Sequence, residues 1–298
     1  MPSPRNALLL GFACLAVAGG GLTAAATTGS TVSPVSSTTT PAASVDSTGT
    51  MSPPAPAPSA SPAPVSLWVR VTAANVWYRT DWVRPVDRPA VSYAPDLTRW
   101  VRNQSYRQRL VLGNNLMTQA LRGEQVVLLS SNGPWVQVRL PQQRGNFYRF
   151  GIIGWVWRTQ LSTTPTQPAA LPRLPRRGSS LIHAAAAYWH APYIFGGMTR
   201  AGIDCSGLTY EAALRVGVLL PRDAADQSRV GVAVRRSALR AGDLVFFGPG
   251  GRSSIHHVGI YIGHGKILHA PHTGSRVRIS ALSSFPDYWG ARRLVPTG

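Results

Sequence analysis

The sequence is poor in cysteine, in lysine and in acidic residues. Of its 298 residues only two are cysteines, Cys14 and Cys205, and Lys266 is the sole lysine. Eleven acidic residues stand against 30 lysines and arginines, so the formal net charge is +19. A chain this basic is suited to anionic partners. Nucleic acid is one such class, but the sequence holds no recognised nucleic-acid-binding module, and we expect no nucleic-acid partner.

The first residues are typical of a secretory signal. A positive charge precedes the apolar run Ala7–Ala18, and Ala24–Ala26 offer small residues for cleavage, which predicts a signal peptide over residues 1–26. Cleavage would remove Cys14, so that the mature chain could form no internal disulfide. A retained anchor is the alternative, because the apolar run is just long enough, and this segment is the only predicted membrane contact.

Two segments have the composition of linkers. Residues 27–65 are mainly threonine, serine, proline and alanine, with almost no charged or aromatic residue. Such a segment cannot bury a core, and we expect it to be an extended, disordered linker. A shorter linker is predicted over residues 163–178, between two folded domains.

Residues 66–162 combine many tryptophans with short apolar runs. The runs Gln125–Leu129 and Trp135–Val138 flank a turn signal at Ser131–Pro134, and Gly154–Trp157 resembles a last strand. Short strands separated by turn residues are typical of an all-β barrel. Most of the tryptophans are expected to fill its core.

Cys205 stands at the predicted start of a helix. Asp204 is a suitable N-cap, and Gly217 is a suitable C-cap. Free N–H groups in a first helical turn, together with a nearby imidazole, lower the pKa of a thiol and favour the nucleophilic thiolate. For an isolated cysteine, a small buried hydrophobe is the ordinary interpretation. The histidines later in the sequence favour the interpretation of Cys205 as a nucleophile.

Two histidines lie on strands that are predicted to pair. Residues 255–262 alternate so that Val258 and Ile260 face one side and His257 the other. Gly263–Gly265 is a hairpin signal. The returning strand brings His269 near His257, which predicts a nucleophile, a base and an orienting group in Cys205, His257 and His269.

A zinc site built from the same three side chains is the competing chemistry. The sequence has no C-x-x-C, H-x-x-x-H or H-E-x-x-H spacing, and no acidic residue flanks either histidine strand. We therefore expect neither a metal nor another cofactor.

Residues 179–298 resemble the NlpC/P60 cysteine peptidases, which cleave peptides of bacterial cell walls. The matching segments run in the family's order and spacing: Tyr193, Gly196–Gly197, Asp204–Gly207, Leu220–Asp223, Gln227, Gly242–Phe247, His257–Tyr261 and His269–Pro271. The resemblance implies a papain-like α+β fold with Cys205 as nucleophile, His257 as base and His269 as orienting residue. It also implies that Tyr193 and backbone N–H groups near Cys205 hold the oxyanion. Asp204 and Ser206 are counted with them as substrate-binding or oxyanion residues.

Residues 66–162 resemble the bacterial SH3 domain that precedes the NlpC/P60 domain in γ-D-glutamyl-L-diamino acid endopeptidases. The segment Thr118–Glu124 carries this resemblance. It implies that Glu124 binds the free amine of an N-terminal L-Ala, since a carboxylate suits an ammonium group; a surface charge is the alternative. The subgroup has an aromatic residue before the final Gly-Trp, a place that Tyr148 or Phe150 could fill here.

The resemblance implies a secreted or periplasmic, wall-associated enzyme that cleaves the γ-D-glutamyl–diamino acid bond of peptidoglycan stem peptides. The positive charge suits the carboxylates of those stems and anionic wall polymers. Two alternatives stay open at this point: amidase or acyltransferase chemistry on another substrate, and a wall-binding protein without catalysis.

Overall fold

The computed structural model describes residues 64–146, 148–169 and 173–296. They form two large antiparallel sheets, one from each half of the chain, with a two-stranded ribbon and five helices. The predicted signal peptide and nearly all of the predicted 27–65 linker lie outside these residues. Within the described part of the chain, no helix is both long and apolar enough to cross a membrane.

The N-terminal sheet has seven strands. They are β1 (Ser66–Val69), β2 (Ala73–Trp77), β3 (Leu116–Leu121), β4 (Gln125–Asn132), β5 (Trp135–Leu140), β6 (Ile152–Trp157) and β7 (Leu161–Ser162). Their order in the sheet is β3-β2-β6-β5-β4-β1-β7. The three strands predicted in this region are confirmed within β4, β5 and β6. Alternate residues of β5 are buried, as the period of two requires. The assignment of this sheet to the SH3 fold stays a prediction.

A helical insert, residues 78–115, separates β2 from β3 and was absent from the all-β prediction. It contains α1 (Leu97–Asn103) and α2 (Tyr106–Leu110). Asp96 caps α1, and Ser105 forms a capping box with Gln108 at α2. These side-chain hydrogen bonds at the N-termini stabilise the two short helices. Trp100 of α1 is fully buried and packs edge-on against Trp77, with ring centroids 6.2 Å apart.

The C-terminal half combines three helices with a six-stranded sheet. The helices are α3 (Gly178–Ala186), α4 (Cys205–Arg215) and α5 (Ala224–Gln227). The strands are β8 (Met198–Thr199), β9 (Gly202–Ile203), β10 (Val232–Val234), β11 (Leu244–Phe247), β12 (His257–Gly263), β13 (Lys266–His269), β14 (Arg278–Ala281) and β15 (Tyr288–Arg293). β8 and β9 form the ribbon, and the sheet order is β10-β15-β11-β12-β13-β14. Helices followed by an antiparallel sheet confirm the α+β prediction for this half.

The central helix α4 packs on one face of this sheet. Leu208 and Ala212 of α4 share a buried cluster with Val258 and Ile260 of β12. Burial of such side chains contributes about 1.5–3 kcal/mol each. The predicted strand face is therefore confirmed. The opposite face holds a second cluster with Val245, Phe247 and Ile267, and His257 points to that side with Phe247.

Candidate active site

Cys205 is the first residue of α4, as the sequence predicts. The carboxylate of Asp204 accepts the N–H of Gly207 at 2.6 Å and caps the helix. The helix N-terminus carries a partial positive charge, which favours a thiolate at this position. Cys205 is buried, which is also what the interpretation as a small buried hydrophobe predicts. It packs in the same cluster as Val258, the residue that follows His257 in β12.

The glycine after Ser206 is required by a close contact. A Cβ atom at Gly207 would lie 2.3 Å from the carbonyl oxygen of Gly197. No side chain fits there, because real Cβ atoms do not approach a backbone oxygen so closely. The start of α4 is therefore pressed against the Gly196–Gly197 turn, whose first residue has a φ of 73°.

A buried ion pair between Arg222 and Asp204 holds the same helix start. Arg222 Nη2 lies 2.8 Å from Asp204 Oδ2, and Nη1 lies 3.1 Å from Oδ1. Arg222 also donates to the Ser206 hydroxyl at 2.9 Å. The N–H of Gly196 donates to Asp204 Oδ2 at 2.7 Å. With these donors and Gly207, the Asp204 carboxylate is saturated. The side chains of Asp204 and Ser206 therefore position the helix, and their contact with substrate stays a prediction.

The N-terminal sheet reaches this ion pair through Thr118. Arg222 Nε donates to Thr118 Oγ1 at 2.9 Å, and Thr118 donates to Gln143 Oε1 at 2.6 Å. All three side chains are buried. Sequence reasoning missed Arg222 as a site residue, because its partners lie 18 and 104 positions away.

His257 and His269 are brought together as predicted. His257 Nε2 and His269 Nδ1 are 2.8 Å apart. Phe285 stacks on His257 at 6.0 Å with an interplanar angle of 15°, and Phe247 lies at 5.6 Å. Burial lowers the pKa of His257 well below 6.5 and that of His269 to about 4, so both imidazoles are neutral at pH 7.

Ser280 on β14 extends the hydrogen-bonded chain beyond His269. Its hydroxyl lies 2.9 Å from His269 Nε2. A neutral imidazole carries one N–H. If His269 donates from Nε2 to Ser280, its Nδ1 accepts from His257 Nε2. That arrangement leaves His257 Nδ1 unprotonated and able to act as a base. Ser280 was also missed by sequence reasoning, since a serine on an edge strand has no motif.

Tyr193 lies beside the strand that leads into Cys205. Its backbone forms a parallel bridge with Ile203, and its N–H donates to the carbonyl oxygen of Ser275 at 2.9 Å. The segment is extended and ends in the Gly196–Gly197 turn, as predicted. Tyr193 is buried and belongs to the cluster that contains Cys205.

Glu124 is buried, and the surface-charge alternative is therefore wrong. Its Oε2 accepts from the N–H of Leu121 at 3.0 Å and from Gln143 Nε2 at 3.1 Å. Its Oε1 has no hydrogen-bond partner among the described residues. Burial raises the pKa of Glu124 to about 7, and the charge of Glu211 on α4 acts in the same direction.

A second carboxylate, Asp223, was not singled out as a site residue. Unlike Glu124 it is an exposed residue, and its side chain forms no capping hydrogen bond at α5. Partial desolvation of its carboxylate raises the pKa of Asp223, Arg222 opposes this shift, and Asp204 and Asp226 add to it. It also interacts electrostatically with Tyr148. Of the two aromatic candidates, Tyr148 is thus the one beside a carboxylate, whereas Phe150 is 72% exposed.

His256 is adjacent to His257 in sequence, but its side chain has a different partner. Its Nε2 is 2.8 Å from Asp287 Oδ2. Over residues 64–146, 148–169 and 173–296, no group of three or more histidine, cysteine, aspartate or glutamate side chains is arranged to hold a metal ion.

Most of the chain is similar to known proteins. The NlpC/P60 family model matches residues 190–295. The γ-D-glutamyl-L-lysine dipeptidyl-peptidase of Bacillus subtilis is 30% identical, over 70% of this chain and 91% of its own length. The protein of the same name from Bacillus cereus is 29% identical over 77% and 91%. The crystal structure of an NlpC/P60 family protein from Bacillus cereus superposes with a TM-score of 0.71, at 28% identity, over 78% of this chain and all of that one.

The molecule is thus an enzyme, a cysteine peptidase of the peptidoglycan-hydrolase class. By its similarity along most of the chain to these peptidases, it belongs to the NlpC/P60 family. The alternative of a wall-binding protein without catalysis is wrong.

Proposed function

We propose that this protein hydrolyses the bond between γ-D-glutamate and the diamino acid of peptidoglycan stem peptides, with Cys205, His257 and His269 as its catalytic residues. The observation that carries the proposal is the hydrogen-bonded chain from His257 through His269 to Ser280, which supports a tautomer of His257 with a basic Nδ1. The names of the two Bacillus relatives, γ-D-glutamyl-L-lysine dipeptidyl-peptidases, support the choice of the bond that is cleaved.

The proposed mechanism requires His257 Nδ1 to reach Cys205 Sγ. His257 Nδ1 takes the proton from Cys205 Sγ, and the thiolate attacks the γ-carbonyl carbon of D-glutamate. The resulting oxyanion is held by the Tyr193 hydroxyl and by N–H groups of the first turn of α4. The protonated His257 gives its proton to the leaving amine of the diamino acid. His257 then deprotonates a water molecule that hydrolyses the thioester, releasing the glutamyl product and restoring the thiol.

The test compares purified wild-type protein with Cys205→Ala and His257→Ala on the tripeptide L-Ala-γ-D-Glu-diaminopimelate, with products identified by mass spectrometry. We expect both variants to lose at least about 100-fold in kcat. His256→Ala is the matched control, because His256 pairs with Asp287 and should be dispensable. Wild-type activity in Cys205→Ala would disprove the mechanism.

We further propose that a carboxylate reads a free N-terminal amine on the substrate. Glu124 has an unpartnered Oε1, and Asp223 has an exposed carboxylate. If Glu124 binds the amine, Glu124→Gln should raise KM for the free tripeptide and leave its N-acetylated form unaffected. The same result for Asp223→Asn alone would move the role to Asp223. Equal cleavage of free and acetylated tripeptide by the wild type would remove amine recognition altogether.

The cellular setting is part of the proposal. The protein acts outside the cytoplasm on wall material, with residues 66–162 as an SH3-like domain, residues 163–178 as a linker and residues 179–298 as the catalytic domain. The charge of +19 favours the stem carboxylates and anionic wall polymers as partners. Cell fractionation with an antibody tests the location. Recovery of the uncleaved protein in the cytoplasm alone would contradict it.

A further inference from the structure

A cavity in the catalytic half of the chain has no part in the proposed hydrolysis. It measures about 450 Å³ and is lined by the turn between β12 and β13, by the segment between β10 and β11, and by the end of β14. Tyr261 of its lining faces the same side of β12 as His257 but lies four residues further along the strand, a separation of about 13 Å. Cavities of a few hundred Å³ with some well-placed polar groups are typical of small-molecule sites.

Basic side chains line this cavity, and acidic ones do not. Arg236, His264 and Lys266 contribute to it from three different segments, and all three residues are exposed. None of the three forms an ion pair with another residue of the described chain. The formal charges of Arg236 and Lys266 are therefore not balanced within the protein, which favours an anionic ligand.

The guanidinium of Arg236 is held beside the cavity by an aromatic ring. It lies 4.8 Å from the centre of the Tyr288 ring, a cation–π contact. Asp243, whose charge also acts on Tyr288, is buried, and its carboxylate accepts from Arg293 at 2.7 and 2.8 Å. The charge of Asp243 is thus balanced by Arg293, and that of Arg236 stays open to a ligand.

Tyr261 adds a neutral hydrogen-bond donor to these cations. Its hydroxyl oxygen accepts the N–H of Gly265 at 3.1 Å. This contact fixes the ring and leaves the hydroxyl proton for another acceptor. Gly265 itself has a φ of 64°, which suits glycine and lets the turn fold back over the ring. The hydroxyl of Ser283 lines the same cavity.

We propose that this cavity binds a phosphate group, either free or as the monoester of a small molecule. Donor groups are available from five side chains of the lining: Arg236, Tyr261, His264, Lys266 and Ser283. A carboxylate has two acceptor oxygens, whereas a phosphate monoester has three and takes donors from more directions. Leu239 and Ala281 give the cavity an apolar side against which the organic part of a monoester packs. The inference does not depend on which peptide bond is cleaved.

The test is calorimetric titration of the purified protein with inorganic phosphate and with glucose 6-phosphate. The salt concentration is about 0.15 M, at which attraction between distant exposed charges is largely screened. We expect both ligands to bind. Tighter binding of glucose 6-phosphate would identify a monoester as the ligand, and equal binding would identify free phosphate. Succinate is the comparison ligand, because it carries two carboxylates and no phosphate, and we expect it to bind more weakly.

Variants of the lining separate this cavity from the general positive charge of the chain. Lys266→Gln and Arg236→Gln each remove one charged donor and should weaken phosphate binding about tenfold. Arg99→Gln is the matched control, because it removes the same charge from an exposed residue that does not line the cavity. It should bind phosphate as the wild type does.

Chemical labelling gives a second measurement that needs no variant. Lys266 is the sole lysine of the chain, so acetylation of its amine can be followed by mass spectrometry of a single peptide. We expect phosphate to slow this acetylation at concentrations that succinate does not match. An unchanged acetylation rate at saturating phosphate would contradict contact between Lys266 and the ligand.

Hydrolysis of the soluble tripeptide is measured in parallel. We expect Lys266→Gln and Arg236→Gln to keep wild-type kcat/KM on that substrate, because both residues lie outside the catalytic machinery. Absence of phosphate binding by the wild type would overturn the inference, and so would unchanged binding by both variants, an equal loss in Arg99→Gln or equal affinity for succinate. None of these results bears on the proposed hydrolysis, whose failure would show as absent tripeptide cleavage by the wild type.

Discussion

Nδ1 of His269 lies 2.8 Å from Nε2 of His257, and Nε2 on the far side of the His269 ring lies 2.9 Å from the hydroxyl of Ser280. His269, the proposed orienting residue, is therefore itself held in place by Ser280. Each link of the chain makes a separate prediction about rate.

Replacing His269 should lower kcat according to what the new side chain can accept. His269→Ala removes the acceptor for His257 Nε2 and should cost about 100-fold. His269→Asn places an amide oxygen near the position of Nδ1 and should restore part of that loss. Ser280→Ala removes one neutral hydrogen bond and should cost no more than about tenfold. Steady-state kinetics on the tripeptide measure all three. An Asn variant no better than Ala would argue that His269 has another role.

The pH dependence of activity should reflect the burial of His257 and His269 among apolar side chains. Burial lowers the pKa of both rings, so the acid limb of kcat/KM should lie below pH 6.5. Phe285→Ala removes the ring that stacks on His257 and should move that limb upward toward 6.5. Below pH 6.5 these two histidines bind more protons in the unfolded chain than in the folded chain, so their contribution to stability should fall on acidification. An unmoved acid limb in Phe285→Ala would contradict this account.

Much of the site could be predicted from local sequence. Asp204 before a helical run marks a cap, and the alternation around His257 marks a strand face. The helical insert was missed because its helices are short and lack a strong apolar period. The contacts of Arg222 and Ser280 were missed because they depend on tertiary packing between distant segments, which no local pattern encodes.

The buried pair of Asp204 and Arg222 should show strong energetic coupling. Arg222→Met leaves a buried carboxylate without its cation, and Asp204→Asn leaves a buried guanidinium without its anion. Each should cost about 3–5 kcal/mol in the free energy of unfolding. The double variant removes both charges and keeps an Asn cap, so it should cost less than the two single changes together. Urea denaturation of the four proteins gives the coupling energy. Simple additivity would mean that the pair is not a unit.

The contribution of Glu211 to stability should fall as the pH rises toward 7. Burial raises the pKa of Glu211 from 4.5 to about 7, against a hydrogen bond from Tyr188. Between these values the Glu211 carboxyl binds more protons in the folded chain than in the unfolded chain, so its contribution to the free energy of unfolding falls with rising pH. Glu211→Gln should therefore raise Tm by several degrees at pH 8, a gain of up to about 3 kcal/mol, and change it little at pH 4.5. A larger gain at the acid end would reverse the assigned sign.

Thr118 lies in the N-terminal sheet, yet it accepts a hydrogen bond from Arg222, which holds the start of the helix that carries Cys205. Neither half of this chain can therefore be replaced by another domain without loss of this hydrogen bond. A chimaera that joins the C-terminal half to a foreign targeting module would leave the buried Nε–H of Arg222 without its hydrogen-bond acceptor. Engineers who wish to redirect this enzyme should graft new binding surfaces onto the existing sheet and leave its seam with the catalytic half intact.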